Sequence, residues 1–407
     1  MGIDTVEKAI EEIRNGHIVI VTDDEDRENE GDFIFAAEKC TPEAINFLIT
    51  QGRGIPCVAA TAKRLDELQL PMMVSQNTAR LGTAMTITVD ACNGTTTGIS
   101  AYDRSRTVSI FVDDNAVPDD LMRPGHIIPL RAVDGGVLKR AGHTEATVDL
   151  CRMAGLKPVG VLCEIVGNDG QMARMPELER IAQEFGLTII TVADLIAYRR
   201  RTERLITRVA DTVLPTGKYG EFRIAAYEAS VEPYHVVALI KGDITAPDAH
   251  PLVRVHSSCV TGDLIDSLRC DCGSQLHLAL QRIADEGCGV LIYLEQEGRG
   301  IGLINKLRAY ELQDKGADTV QANEMLGFKP DLRDYGIGAQ VMADIGLKNI
   351  RFMTNNPKKV AGLDGYGISI TSHEPLLVVP NPHNENYLRT KQEKMGHMLS
   401  VSLETQE

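Results

Sequence analysis

The chain has 407 residues, 43% hydrophobic and 24% charged, with a formal net charge of −15. That length exceeds one ordinary core, so two domains are expected. The acidic balance argues against sequence-independent nucleic-acid binding, which needs a basic face, and no apolar run is long enough for a membrane span.

In chain order, Asp4-Thr-Val-Glu7 has the form of a capping box. Val6, Ile10 and Ile13 form a helical stripe that Gly16 can close. This acidic, helix-forming start does not read as a secretion signal. Residues 17–22 and 33–37 read as strands. Between them lies Asp23-Asp-Glu-Asp-Arg-Glu-Asn-Glu-Gly-Asp32, in which seven of ten residues are acidic. A charge run of this kind is a solvated loop or, since carboxylates packed at a strand end need a cation, a site for magnesium or manganese. Thr41-Pro42 starts a second helix, with Thr as N-cap and Pro at the first helical position. Residues 55–60 form a strand holding Cys57. Asn93-Gly-Thr-Thr-Thr-Gly98 is a small polar loop of a size to wrap a phosphate, a weak signal alone. Arg123 and Arg140 add cationic groups, and His126 and His143 two histidines. Glu164 interrupts an apolar strand over 159–166, so it is either paired or functional.

Four of these segments carry a resemblance: Arg27-Glu-Asn-Glu-Gly-Asp32, Gly94-Thr-Thr-Thr-Gly-Ile-Ser100, Arg140-Ala-Gly-His-Thr144 and Glu164. Residues 1–200 closely resemble 3,4-dihydroxy-2-butanone 4-phosphate synthase. The resemblance implies conversion of ribulose 5-phosphate to the four-carbon ketone phosphate plus formate, with Mg2+ (or Mn2+) held by Glu28 and His143. It makes Arg27, Glu28, Asp32, Arg140, Ala141, Gly142, His143 and Thr144 substrate contacts, and Glu164 the residue that moves protons. It also implies a homodimer through this half.

A helix over 176–185, a strand over 187–191 and a short helix lead to Arg199-Arg-Arg-Thr-Glu-Arg204. This basic stretch in an acidic chain marks the domain seam near residue 200. Strands follow over 223–228 and 235–241. Cys259, Cys270 and Cys272 are then spaced C-x10-C-x-C. Thiolates are soft ligands, and zinc takes them tetrahedrally. Alternation along an extended segment would aim Cys270 and Cys272 the same way. Three ligands leave a fourth position open for water, as in a catalytic site, unless His256 or His277 closes it. Nine cysteines, an odd number, around a thiolate metal site point to a reducing cytoplasm. A helix over 276–286 and an apolar strand over 290–294 precede Glu297-Gly-Arg-Gly-Ile-Gly302, a glycine-rich turn suited to anions but no P-loop.

The matching segments here are Arg254-Val-His-Ser257, Cys259-Val-Thr-Gly-Asp263, Ser267-Leu-Arg-Cys-Asp-Cys-Gly273, Glu297-Gly-Arg-Gly-Ile-Gly-Leu303, Asp331-Leu-Arg-Asp-Tyr-Gly-Ile-Gly338 and Thr354-Asn-Asn-Pro-Lys358. Residues 201–407 closely resemble GTP cyclohydrolase II. The resemblance implies Zn2+ on Cys259, Cys270 and Cys272. It implies GTP contacts at Arg254, Val255, His256, Ser257, Ser258, Gln275, Glu297, Gly298, Arg299, Thr319, Thr354 and Lys359. It makes Asp331 the proton acceptor. Arg333 is then either a nucleophile towards the α-phosphate or, since guanidinium stays protonated, a charge stabiliser there. Ser258 departs from the family's usual Glu.

The fold class expected is α/β, with two domains, each a mixed sheet flanked by helices. The module order matches bifunctional enzymes of riboflavin biosynthesis, with ribulose 5-phosphate and GTP as substrates. Two other readings are a monofunctional enzyme with one decayed half and a nucleotide-binding regulator with a structural zinc. The second of these requires a fourth protein ligand to zinc and releases no formate.

Overall fold

The computed structural model describes residues 3–25, 27–230, 235–328, 336–355, 363–385 and 389, with the side chains of 299, 364 and 365 outside that description. The chain divides into two compact units, Met1–Thr202 and Glu203–Glu407. Each holds a seven-stranded mixed sheet.

The strands of the first unit are β1 (Val19–Thr22), β2 (Gly31–Ala36), β3 (Cys57–Thr61), β4 (Val89–Ala91), β5 (Leu121–Ala132), β6 (Val159–Glu164) and β7 (Thr188–Thr191). Their order across the sheet is β4-β5-β3-β6-β2-β1-β7. Alternation buries both faces. Ile20, Phe33 and Phe35 pack with Ile45, Val108, Phe111 and Leu178 on one side. Val19, Val21 and Ile34 pack with Ile10, Ile13, Val148 and Leu195 on the other. The first helix, Val6–Asn15, closes at Gly16 in the left-handed region (φ 87). Its start differs from the expected capping box. Thr5 is the N-cap and accepts from Lys8 N. Asp4 instead exchanges two hydrogen bonds with the backbone of Ile189, tying the helix start to β7.

The strands of the second unit are β8 (Ile206–Thr216), β9 (Gly220–Ala229), β10 (His235–Lys241), β11 (Leu252–Ser257), β12 (Gly289–Leu294), β13 (Asn349–Met353) and β14 (Ser369–Glu374). Their order is β14-β13-β11-β12-β10-β9-β8. β11 pairs in parallel with β12 and β13, so the carboxyl ends of these three strands lie together. That is where α/β sheets place ligands. The helix Cys272–Glu286 covers this part of the sheet, packing Ala279, Leu280 and Ile283 on Leu252 and Leu291.

Candidate active sites

The first site grows from one end of the first sheet. β1 ends at Thr22 and β2 begins at Gly31, so the acidic run is the turn between two antiparallel neighbours. β6 runs antiparallel to β2 and ends on Glu164, opposite Asp32. Asp23, buried at the turn's base, shapes it. Its carboxylate accepts from Arg27 Nη1 (2.6 Å), Glu28 N (3.2 Å) and Glu30 N (2.9 Å). This presents Glu28, whose Oε2 lies 3.4 Å from His143 Nδ1 and accepts from Arg27 Nη1 (2.8 Å). His143 is the first residue of the helix His143–Met153, with Gly142 as N-cap. A side chain at Gly142 would strike Arg140 Nη1 (2.6 Å) and crowd Arg27 Nη2 (3.1 Å). Two guanidiniums thus flank a helix N-terminus, an arrangement that favours an anion such as phosphate.

The electrostatics are those of a buried, mutually coupled ionic cluster. Hydrogen bonding to His143, together with Arg27, lowers the Glu28 carboxyl to about 2 in spite of its burial. Burial would push His143 down, but Asp32, Glu28 and Asp23 raise it to about 9. Asp32 is raised to about 7 by burial, helped by Glu164, Glu28 and Glu30. Asp23, Glu28 and His143 offer ligand atoms within 4.8 Å of one another, and buried His143 Nε2 has no hydrogen-bond partner. Oxygen and imidazole donors with an orphaned ring nitrogen fit a hard divalent cation.

This end of the sheet brings together Arg27, Glu28, Asp32, Arg140, Gly142, His143 and Glu164. Thr144 is buried behind them and Ala141 lies in the exposed turn. The 93–98 loop is held by the start of the helix Ala101–Phe111. Asp103 accepts from Thr96 N and Oγ1 and from Gly98 N, and Gly98 abuts the Asp90–His126 pair. Asp23 is the residue that sequence reasoning missed, because one carboxylate in a run of seven carries no distinguishing mark.

The second site lies at the carboxyl ends of β11, β12 and β13. Cys259, Cys270 and Cys272 bring their sulfurs within 4.8 Å of one another, with Cys259 and Cys270 3.7 Å apart. A side chain at Gly262 would meet Cys270 Sγ at 2.8 Å and Cys259 Sγ at 3.1 Å, so only glycine fits beside the sulfurs. The segment is not extended as expected. Asp271 has φ −103 and ψ 7, and Cys272 opens the helix Cys272–Glu286. The turn, rather than strand alternation, gathers the thiols. Hydrogen bonding to Cys270 and Cys272, with Lys306 adding its charge, holds the Cys259 thiol far below its usual range. Among the described residues no histidine joins this cluster. His277 lies 2.9 Å from the Tyr219 hydroxyl, and His256 lies 3.1 Å from both oxygens of Asp263. Three soft donors without a fourth fit a zinc site with one open position.

A buried polar frame supports the cysteines. Asp263 also accepts from Cys259 N and from the Tyr293 hydroxyl, 2.9 Å each, and Tyr293 stacks on His256. Arg254 donates to Met353 O (2.9 Å) and Gln275 Oε1 (2.6 Å), while Gln275 donates to Asp271 Oδ2 (2.6 Å). Val255 is buried within β11, and Ser257 and Ser258 place buried hydroxyls at its end. Glu297 accepts from Val260 N (2.6 Å) and Lys306 Nζ (2.8 Å). Gly298 follows with φ 61. Thr354 is buried just beyond β13, and Thr319 opens a short helix behind the Asp318 cap. Asp331, Arg333, Lys359 and the Arg299 side chain lie outside the described residues. Sequence reasoning quotes Asp263 only as the end of the Cys259–Asp263 motif, without a role, and misses Lys306. Lys306 stands four residues before Tyr310, on the same helical face, which was the available signal.

Two α/β units, each with a polar cluster at one end of its own sheet, define a bifunctional α/β enzyme. Residues 7–198 match the family model for 3,4-dihydroxy-2-butanone 4-phosphate synthase, and residues 207–375 match that for GTP cyclohydrolase II. The chain is 57% identical over 401 residues to riboflavin biosynthesis protein RibBA of Chlorobium phaeovibrioides, covering 98% of this chain and 97% of that protein. It is 54% identical over 397 residues to RibBA of Aquifex aeolicus, covering 97% of each. Among solved structures it resembles RibBX of A. baumannii, described as a two-domain 3,4-dihydroxy-2-butanone 4-phosphate synthase. That match has a TM-score of 0.69 and 34% identity, covering 92% of this chain and all of that one. The chain belongs to the bifunctional riboflavin-biosynthesis family that joins a 3,4-dihydroxy-2-butanone 4-phosphate synthase to a GTP cyclohydrolase II.

Proposed function

We propose that the first unit converts D-ribulose 5-phosphate to 3,4-dihydroxy-2-butanone 4-phosphate and formate. The second unit hydrolyses GTP to 2,5-diamino-6-(5-phosphoribosylamino)pyrimidin-4(3H)-one, formate and pyrophosphate. One observation carries this reading: the two units gather donor sets of opposite hardness, Glu28 with His143 and three cysteine sulfurs. Glu28 and His143 would hold magnesium or manganese, which would supply charge stabilisation to substrate oxygens, and Cys259, Cys270 and Cys272 would hold zinc, which would supply a Lewis acid.

In the first site Arg27 and Arg140 hold the phosphate, Asp32 orients the sugar and Glu164 moves protons at neighbouring carbons. In the second, residues 254–258, Gln275, Glu297–Arg299, Thr319, Thr354 and Lys359 hold the nucleotide. Asp331 accepts a proton, and Arg333 acts either as the nucleophile towards the α-phosphate or as a charge stabiliser there. The chain works in a reducing cytoplasm as a homodimer through its first unit, and a monomeric mass at working concentration would contradict the latter. The test of the metal reading is elemental analysis paired with selective depletion. Purified chain should carry one zinc, and a thiol-competing chelator should remove it and stop GTP turnover alone. Ribulose 5-phosphate turnover should depend on added magnesium or manganese. A zinc-free chain that turns over GTP would overturn the reading.

A further inference from the structure

Lys306 lies on the helix Gly302–Asp314, where it is largely buried, with its side chain 11% exposed. Its ammonium donates to Cys259 Sγ at 3.0 Å and to Glu297 Oε1 at 2.8 Å. It also lies 5.9 Å from the centroid of the Tyr310 ring. Glu297 spends its other oxygen on Val260 N, the residue after Cys259. One cation therefore joins the glycine-rich turn after β12 to the first cysteine of the cluster.

A plain ion pair between Lys306 and Glu297 needs no sulfur. Here the ammonium is shared, and the sulfur it touches belongs to a three-thiolate set. Zinc with three thiolates carries a net negative charge, and thiolate donation weakens its pull on a fourth ligand. An N–H···S hydrogen bond draws electron density from that sulfur, as outer partners tune metal ligands elsewhere. The buried carboxylate of Glu297 makes the cation more necessary, because without it two anions would face each other in a low-dielectric pocket.

We propose that Lys306 is a positioning and tuning residue of the cyclohydrolase reaction: it acts through Cys259 by withdrawing charge from the thiolate, and holds the Glu297 turn in register with the metal. This rests on the zinc reading of the cysteine cluster.

The test uses the full chain with cobalt(II) in place of zinc, because the sulfur-to-cobalt charge-transfer band reports thiolate donor strength directly. Lys306→Met removes charge and hydrogen bond at similar length. Lys306→Gln keeps a neutral N–H donor and serves if the Met variant fails to fold. The expected result is a band shifted to longer wavelength in Lys306→Met, with a smaller shift in Lys306→Gln. With zinc restored, kcat for formate release from GTP should fall about 10- to 100-fold in Lys306→Met, with KM changed far less. A thiolate–cobalt band that stays put in every folded variant overturns the proposal while leaving the metal site intact. Absence of any such band in the unsubstituted chain overturns the zinc reading and the proposal together.

Discussion

Asp32 and Glu164 sit directly opposite each other across the antiparallel pair β2–β6, so two carboxylates share one face at the end of the sheet. Asp32 is buried and raised to about 7 from an ordinary 3.8, first by burial and then by Glu164, Glu28 and Glu30. The folded protein therefore holds a proton on Asp32 at pH values where the unfolded chain has released it. Stability from this residue is present below pH 4 and is lost as pH rises through about 7. At about 1.4 kcal/mol per pH unit, the loss is on the order of a few kcal/mol. In chelator-treated protein, Asp32→Asn should lose less stability than the unsubstituted chain between pH 4 and 8. Thermal melts across that range check it, and parallel curves would count against the assignment.

Gly54 touches the other side of the same carboxylate. A Cβ there would lie 2.4 Å from the Glu164 carbonyl oxygen and 3.0 Å from Oε2. Gly54→Ala should push the end of β6 and cost about 1–3 kcal/mol. It should lower ribulose 5-phosphate turnover by roughly 10- to 100-fold, since misplacement of a proton-transfer group is expensive in rate. GTP turnover by the same preparation should be unchanged. Normal turnover of both substrates would detach Glu164 from the reaction.

Glu28→Ala or His143→Ala should reduce magnesium-dependent turnover of ribulose 5-phosphate to background, because each removes a donor from the hard cluster. The second unit has its own sheet and core and should continue on GTP. Full synthase activity in either variant would remove that residue from the metal site.

Much of both sites was legible because the chemistry is carried by short contiguous motifs. The Arg140 to Thr144 turn folds as a unit at a helix start, and Glu164 stood out as a charge in an apolar strand. What escaped was geometry set by distant backbone. Thr5 caps the first helix because Asp4 is taken by the backbone of β7, 185 residues away. Cys270 and Cys272 converge through a turn into a helix that the sequence places from Leu276 and that starts in the fold at Cys272. Asp263 stands in a local motif, but its role does not show there, since its partners Tyr293 and His256 come from two strands brought together only by the parallel sheet.

Cys270→Ser separates a metal centre from an ordinary buried cysteine. Loss of one of three thiolates should empty the site of zinc and loosen the turn around it. GTP turnover should vanish and ribulose 5-phosphate turnover should persist. A packing role alone predicts a stability loss of roughly 1–3 kcal/mol with GTP turnover retained. Zinc per chain, measured beside both activities, distinguishes the two.

The central claim is that one chain carries two independent formate-releasing reactions. Its most direct test is formate measured in two separate incubations of the unsubstituted chain, one with ribulose 5-phosphate and magnesium, the other with GTP and zinc-replete protein. The account predicts one formate per molecule of each substrate consumed. Formate from one substrate and none from the other, in chain whose two units are both folded and metal-loaded, would contradict it.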